Sequence, residues 1–269
     1  MPHRLQLIFI ALFCLYSCTS ESISLNSQST TTDPGRLFLV LIGNTTERSI
    51  RDGVKKDINK LKAHFSFVAE VLGLSFNPLI LSGKDFSKSS IIRTVNNLPT
   101  TSNDVLIVVY SGHGKEGEDA IYPDMKLSYG EPFSLKGLQN DYLAKKTTAF
   151  TLLLGNCCAG GDINNNFLKT SPFFPEHTPA LAEQLKLLYG GTYYKRLAII
   201  SAKVPHIAFT HRDKGSYFVN GFIRAMHKNL EKETARSWNK IYQSTKNETD
   251  KLLREGNLDL IQPMYFGKF

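Results

Sequence analysis

The chain has 269 residues, 42% of them hydrophobic, four cysteines and a formal net charge of +8. Its lysines and arginines are scattered, with Lys145 and Lys146 the one cluster of note, which speaks against a nucleic-acid surface and for a solvated face or weak attraction to acidic partners. About 235 residues beyond a short leader suffice for one domain with a sizeable core, and no second domain is needed.

Residues 1–20 join a basic start, His3 and Arg4, to the apolar run LIFIALFCLY. That run is about half the length of a bilayer-spanning helix, which suits a signal peptide. It closes in Leu15-Tyr16-Ser17-Cys18, similar to a bacterial lipoprotein cleavage box with Cys18 as the lipidation site, although Tyr16 is bulkier than that box prefers. Simple secretion with cleavage near Ser20 is the rival expectation. Either way the protein is expected to be exported, touching a membrane through a lipid anchor or not at all. Residues 21–35 are Ser/Thr-rich without apolar periodicity and read as a flexible tether, so the folded domain is expected over residues 36–269.

From there strand and helix signals alternate. RLFLVLIG, residues 36–43, reads as a buried strand, and residues 57–72 carry Ile58, Leu61, Phe65 and Val68 at helical spacing. Residues 78–81 predict a short strand opened by a proline, residues 87–98 a helix with serine at its start, and residues 105–110 another buried strand. This βαβαβ order predicts an α/β fold with a parallel sheet. Residues 134–145 predict a helix leading into a strand over 150–154. Residues 162–194, rich in Asn, Pro, Gly and aromatics, break the periodicity for longer than an ordinary connection. A strand at 196–202, helices at 216–229 and 233–255, and a last short strand at 262–266 complete the expectation, and no internal repeat is visible.

Two stretches carry chemistry. DVLIVVYSGHG, residues 104–114, is an apolar strand ending in small residues and His113, and AFTLLLGNCCAGG, residues 149–161, is a second that ends in Cys157 and Cys158 backed by glycines. If the strands are parallel neighbours, imidazole and thiol meet at the carboxyl edge of the sheet, where ligands gather in α/β folds. A thiol beside an imidazole is the minimal kit for covalent catalysis. Taken singly, each residue has a plainer reading, the cysteine as a small buried hydrophobe and the histidine as structural. Metal binding fails on spacing, because adjacent cysteines do not readily chelate one tetrahedral ion and no second pair exists, and no cofactor is expected. A vicinal disulfide in an exported protein is the remaining alternative, at the cost of a strained ring.

Tyr110-Ser111-Gly112-His113-Gly114, with the histidine 45 positions upstream of Cys158 in Asn156-Cys157-Cys158-Ala159-Gly160-Gly161, resembles the caspase-like cysteine peptidases, including metacaspases and their bacterial relatives. In caspases that histidine lies about 50 residues before the nucleophile. Weaker echoes follow in the family's order: Asp57 within GVKKD, EDAIYPDM, SAKVP at 201–205, GSYF at 215–218 and QPMYFG near the end. The resemblance implies a caspase-like three-layer sandwich, with a mostly parallel sheet and helices on both faces. It also implies Cys158 as nucleophile, His113 as acid–base group, and an oxyanion hole formed by the N–H groups of Gly114 and Cys158. By the same resemblance, residues 162–194 are a linker cut during maturation, at Lys169, Lys186, Lys195 or Arg196, with an ordered loop as the alternative.

Asn156 stands where metacaspases carry aspartate, and Ala159 and Gly160 replace the usual His or Arg and Ser. Substrate binding is therefore left between two sets. By resemblance, Arg51 or Arg48 ahead of Asp57, and Arg212 before GSYF at a different local spacing, stand where caspases hold an acidic P1 side chain, whereas Asp57 stands at a metacaspase pocket acid for a basic one; the neutral Asn156 argues for a relaxed basic preference, and ordinary surface charge is the plain alternative for them all. Glu116, Glu118, Asp119 and Asp124 serve equally as a calcium-sensitive loop or a solvated acidic one. Two functions follow: a cysteine endopeptidase acting on proteins or peptides, and a caspase-fold binding or scaffold module that has lost catalysis.

Overall fold

A computed structural model describes residues 34–119, 121–127, 133–158, 174–203, 206, 208–258 and 262–269. The expected leader at 1–20 with Cys18, most of the tether and Lys169 lie outside them.

Runs of alternately placed Val, Leu and Ile with no polar interruption must be covered on both sides, and the central strands show that coverage. Strands β1 (Arg36–Gly43), β3 (Val105–Lys115) and β6 (Phe150–Cys158) sit in the middle of a sheet ordered β10-β7-β6-β3-β1-β2. Strands β2 (Ser75–Leu81), β1, β3, β6 and β7 (Arg196–Ile200) are parallel, and β10 (Tyr265–Lys268) closes one edge antiparallel to β7. Alternate side chains along each strand, such as Leu39, Ile107, Leu152 and Ile199, face one core. That core is shared with α1 (Arg51–Leu72), α4 (Pro179–Tyr189), α5 (Tyr217–Glu231) and α6 (Trp238–Glu255). The intervening side chains, such as Val40, Val108 and Leu153, face a second core with α2 (Lys88–Asn97) and the helical stretch at 135–145. The result is the expected three-layer sandwich.

Chain order sets where the site lies. The chain leaves β1 for β2 on one side and returns to β3 on the other, so the loops after β1 and β3 diverge and open a crevice at their carboxyl ends. The small strands β4 (Asp124–Met125) and β5 (Phe133–Ser134) fold back beside the end of β3. A hairpin of β8 (Thr210–His211) and β9 (Gly215–Ser216) packs near the start of α1, where a Cβ on Gly53 would meet Thr210 Cγ2 at 2.4 Å.

Five expectations need correction. The first helix starts at Arg51, six residues before the periodic stretch, because Val54 and the preceding Ile50 are buried while Gly53 and two lysines hide the pattern. The region 162–194 contains α4, which begins with Thr178 capping the Leu181 N–H at 3.1 Å and Pro179 in the first turn, and which buries Leu181, Leu185 and Leu188. Lys186 lies inside that helix, a closed backbone for a protease, and the Lys195 carbonyl already accepts from Thr151 N–H at 2.8 Å in the sheet. The helix expected from 233 starts at Trp238 under a Ser237 cap, after Glu233 breaks the chain direction at φ 52°. The last strand is displaced to Tyr265–Lys268, its register set by pairing with β7. The helix expected over 134–145 is a continuous helical path, but it passes through a π turn at Leu138–Tyr142 and a 3₁₀ turn at Leu143–Lys145.

Candidate active site

Strands β3 and β6 run in parallel register with Ser111 opposite Asn156, Gly112 opposite Cys157 and His113 opposite Cys158. Adjacent strands lie about 4.8 Å apart, so the backbones of His113 and Cys158 are neighbours at the carboxyl edge of the sheet. Cys158 is the last residue of β6. Cys157 is 3% exposed and belongs to the core under α2. Its backbone is fixed by Ser201, whose Oγ accepts from Cys157 N–H at 3.1 Å and donates to Cys157 O at 3.2 Å. Gln262 Nε2 donates in turn to Ser201 O at 2.7 Å, so the echoes at SAKVP and QPMYFG meet directly behind the cysteine strand.

Two residues below the tips lies a buried polar cluster. Asp57 on α1 has no exposed surface and accepts from Ser111 Oγ at 3.1 Å, Asn156 Nδ2 at 3.0 Å and Ser216 N–H at 2.8 Å. Asn156 Nδ2 also lies 2.9 Å from Ser111 Oγ. Burial pushes the Asp57 carboxyl up to about 6, against the opposing pull of the Ser216 and Ser111 hydrogen bonds and of the Lys60 charge. One carboxylate thereby ties α1, β3, β6 and the β9–α5 junction together. Asn156 is the side chain this arrangement asks for: an amide donates to the buried carboxylate, whereas a second carboxylate would repel it. As folded, Asp57 presents no surface to a peptide and Asn156 is 4% exposed, so both sit beneath the site as its support. Gly215 is needed here too. At φ 82° it turns the hairpin, and a Cβ would stand 2.3 Å from Asp57 Oδ1.

The two arginines do converge. Arg51 Nε lies 3.1 Å from Asp52 Oδ1 and Arg212 Nε 3.4 Å from Asp52 Oδ2, bringing the start of α1 and the β8–β9 hairpin to one carboxylate. Hydrogen bonding from Arg51 leads the causes that hold the Asp52 carboxyl below its usual range. All three side chains are solvent-accessible, beside an open cleft lined by Lys55, Lys56, Asn59 and Asp213.

His113 is 15% exposed. Its carbonyl accepts from Lys126 N–H at 2.9 Å and from the Tyr110 hydroxyl, so β4 clamps the strand end. Gly114 pairs with Met125, and a Cβ there would meet Cys157 Cβ at 3.0 Å and Pro123 Cβ at 3.2 Å. Packing against the neighbouring strand thus demands glycine after the histidine, in addition to any need for close approach by a substrate. Sequence reasoning missed what stands on the other side of the imidazole: Glu47 Oε1 is 3.1 Å from His113 Nε2 and Ser49 Oγ is 3.5 Å from it. Both come from the loop after β1, and their signal was their position at the carboxyl end of the strand beside the chain's turning point. On the far side of β4, Glu118, Asp119 and Asp124 line a second open cleft with Asn140 and Asp141. Among the described residues no three His, Cys, Asp or Glu side chains gather as a metal-holding group.

A doubly wound α/β sandwich with a histidine and a cysteine on adjacent parallel strand ends defines the class. The family model of the caspase domain matches residues 36–254, most of the chain, and the protein belongs to that family of cysteine peptidases. No curated protein matches the chain.

Proposed function

We propose that the protein is a cysteine endopeptidase in which Cys158 is the nucleophile and His113 the acid–base group. The observation that carries the reading is the register of His113 opposite Cys158. Burial of Cys157 under α2 supports it by removing the competing thiol.

The Cys158 thiol proton passes to the His113 imidazole, and the thiolate sulfur attacks the carbonyl carbon of a peptide bond. Negative charge on the former carbonyl oxygen is held by the N–H groups of Gly114 and Cys158. The C–N bond then breaks, the amine leaves with the proton from His113, and a thioester remains on Cys158. Water adds to the thioester carbon, giving its proton to His113, and the C–S bond breaks to return acid and thiol.

The caspase domain implies a protein or peptide substrate. Arg51 and Arg212 favour an acidic P1 side chain, since two guanidiniums already share the Asp52 carboxylate, and the burial of Asp57 argues against its serving a basic one. Fluorogenic peptides varied at P1 test this: aspartate or glutamate substrates are expected to be cleaved best, and preferential cleavage after arginine or lysine would overturn it. His113→Ala is expected to lower turnover by about 10² to 10⁴; absence of turnover on every peptide by the parent protein would favour the binding module instead.

The leader adds a proposal of export, either as a lipoprotein acylated on Cys18 or as a secreted protein. No described helix is long and apolar enough to cross a membrane. Mass analysis of the mature amino terminus decides it, with acylated Cys18 or a start near Glu21 expected and an intact Met1 contradicting both.

A further inference from the structure

We propose that Glu47 is a positioning residue for His113, making the site a Cys158–His113–Glu47 relay. This rests on the reading of His113 and Cys158 given above. An imidazole that serves a thiol must keep one ring nitrogen toward the sulfur, and a partner on the other nitrogen fixes both tautomer and ring orientation. Glu47 Oε1 stands 3.1 Å from His113 Nε2, within reach of a charge-assisted N–H···O bond. With Nε2–H donating to Glu47, Nδ1 is the nitrogen that takes the Cys158 proton. The Glu47 carboxylate thereby holds the ring in the tautomer and orientation that leave Nδ1 for that proton.

The loop holds Glu47 for this task. Asn44, 3% exposed, continues the β1–β3 pairing through its N–H to Ser111 O at 3.0 Å. Its Oδ1 accepts from Thr46 Oγ1 at 3.1 Å and Glu47 N–H at 3.2 Å, bending the chain back over β3. Its Nδ2 lies 3.3 Å from Glu47 Oε2, so one carboxylate oxygen is tethered to the sheet while the other meets the histidine. Other charged and titratable groups near the relay are Lys126, with Nζ 3.9 Å from Glu47 Oε1, Lys115 two residues beyond His113, and Asp57, which reaches the strand through Ser111. Lys126 is mostly exposed and sits farther from the carboxylate than the imidazole does, so it weakens the Glu47 field at His113 without displacing the contact.

Glu47 is 37% exposed, so water screens the pair, and the expected effect is smaller than for a buried triad carboxylate. Glu47→Gln and Glu47→Ala should each lower kcat about tenfold with KM within about twofold. The rate of Cys158 alkylation by iodoacetamide near pH 7 should fall to a similar extent, because a ring free to turn no longer presents Nδ1 to the thiol. Glu47→Asp should recover part of both, and thermal midpoints should match the parent, since the side chain lies on a surface loop. Parent-like kcat and an unchanged alkylation rate in Glu47→Gln, while His113→Ala still lowers turnover, would overturn the role of Glu47 and leave the dyad intact. A lowered thermal midpoint with an unchanged alkylation rate would make Glu47 structural and overturn it too. Full activity in His113→Ala and Cys158→Ala would instead defeat the reading on which the proposal stands, and Glu47 with it.

Discussion

Two carboxylates on one helix, Asp52 and Asp57, meet opposite fates. Asp57 is enclosed by Ser111, Asn156 and Ser216, and its partners are fixed by three strands and helices. Asp52 sits about one and a half turns earlier, 32% exposed, between Arg51 and Arg212, long side chains that water can separate. An interior charge is expensive to hold and expensive to lose, so it serves as a fixed point. A surface charge with flexible partners costs little to exchange, and so is suited to giving way to a ligand carboxylate.

The largest break in that comparison is at Asp57. Asp57→Ala leaves the Asn156 amide and the Ser216 N–H buried without their acceptor, and should cost about 3–5 kcal/mol of stability, read from urea unfolding. A loss under about 1 kcal/mol would show that water enters the cluster as readily as it reaches Asp52.

Titration sharpens the same contrast. With the folded carboxyl raised to about 6 from 3.8, the stability linked to Asp57 is fully present below pH 3.8 and is lost as pH rises through 6. His64 pulls the other way. It is buried at 3.3 Å from His227 and held well below its usual value, first by burial and then by the His227 charge. Its stability is therefore fully present above its ordinary value of 6.5 and falls as pH drops below that. Because His64 is common to both proteins, the difference between parent and Asp57→Asn isolates the carboxyl. That difference should move against the parent by about 2 kcal/mol between pH 4 and pH 7. A difference flat with pH would mean the Asp57 carboxyl titrates alike in folded and unfolded chains.

Effects at the surface cluster should be smaller and should fall on substrate choice. Arg51→Ala or Arg212→Ala is expected to cut the preference for an acidic P1 residue about tenfold while leaving the unfolding midpoint unchanged. Asp52→Ala should raise affinity for the same substrates a few-fold, about what one partner's release from a screened pair provides. Loss of acidic preference in Asp52→Ala would mean that the carboxylate orients the arginines and does not compete with the substrate.

The central strands were readable because full burial leaves uninterrupted apolar runs, and the YSGHG and NCC motifs at their ends located the histidine and cysteines. Helix α4 was readable too, with Thr178, Pro179 and Leu spacing all present, but the Asn, Pro and Gly around it concealed the pattern. Asp57 was legible as a residue and not as a role, because sequence spacing does not report that Ser111, Asn156 and Ser216 close over it. Arg51 and Arg212 lie 161 positions apart and were paired by family resemblance alone. Glu47 had no motif at all: its meaning comes from the crossover that sets the loop after β1 against the end of β3.

The central claim is that Cys158, on the strand end opposite His113, does the chemistry, and site-resolved alkylation coupled to activity tests it most directly. Iodoacetamide at limiting concentration, followed by peptide mass mapping and peptide-hydrolysis assay on the same samples, should label Cys158 in step with loss of activity. Cys157 should stay unmodified, and Cys157→Ala should retain most of the turnover that Cys158→Ala abolishes. Inactivation that tracks labelling of Cys157, or full labelling of Cys158 with hydrolysis undiminished, would contradict it.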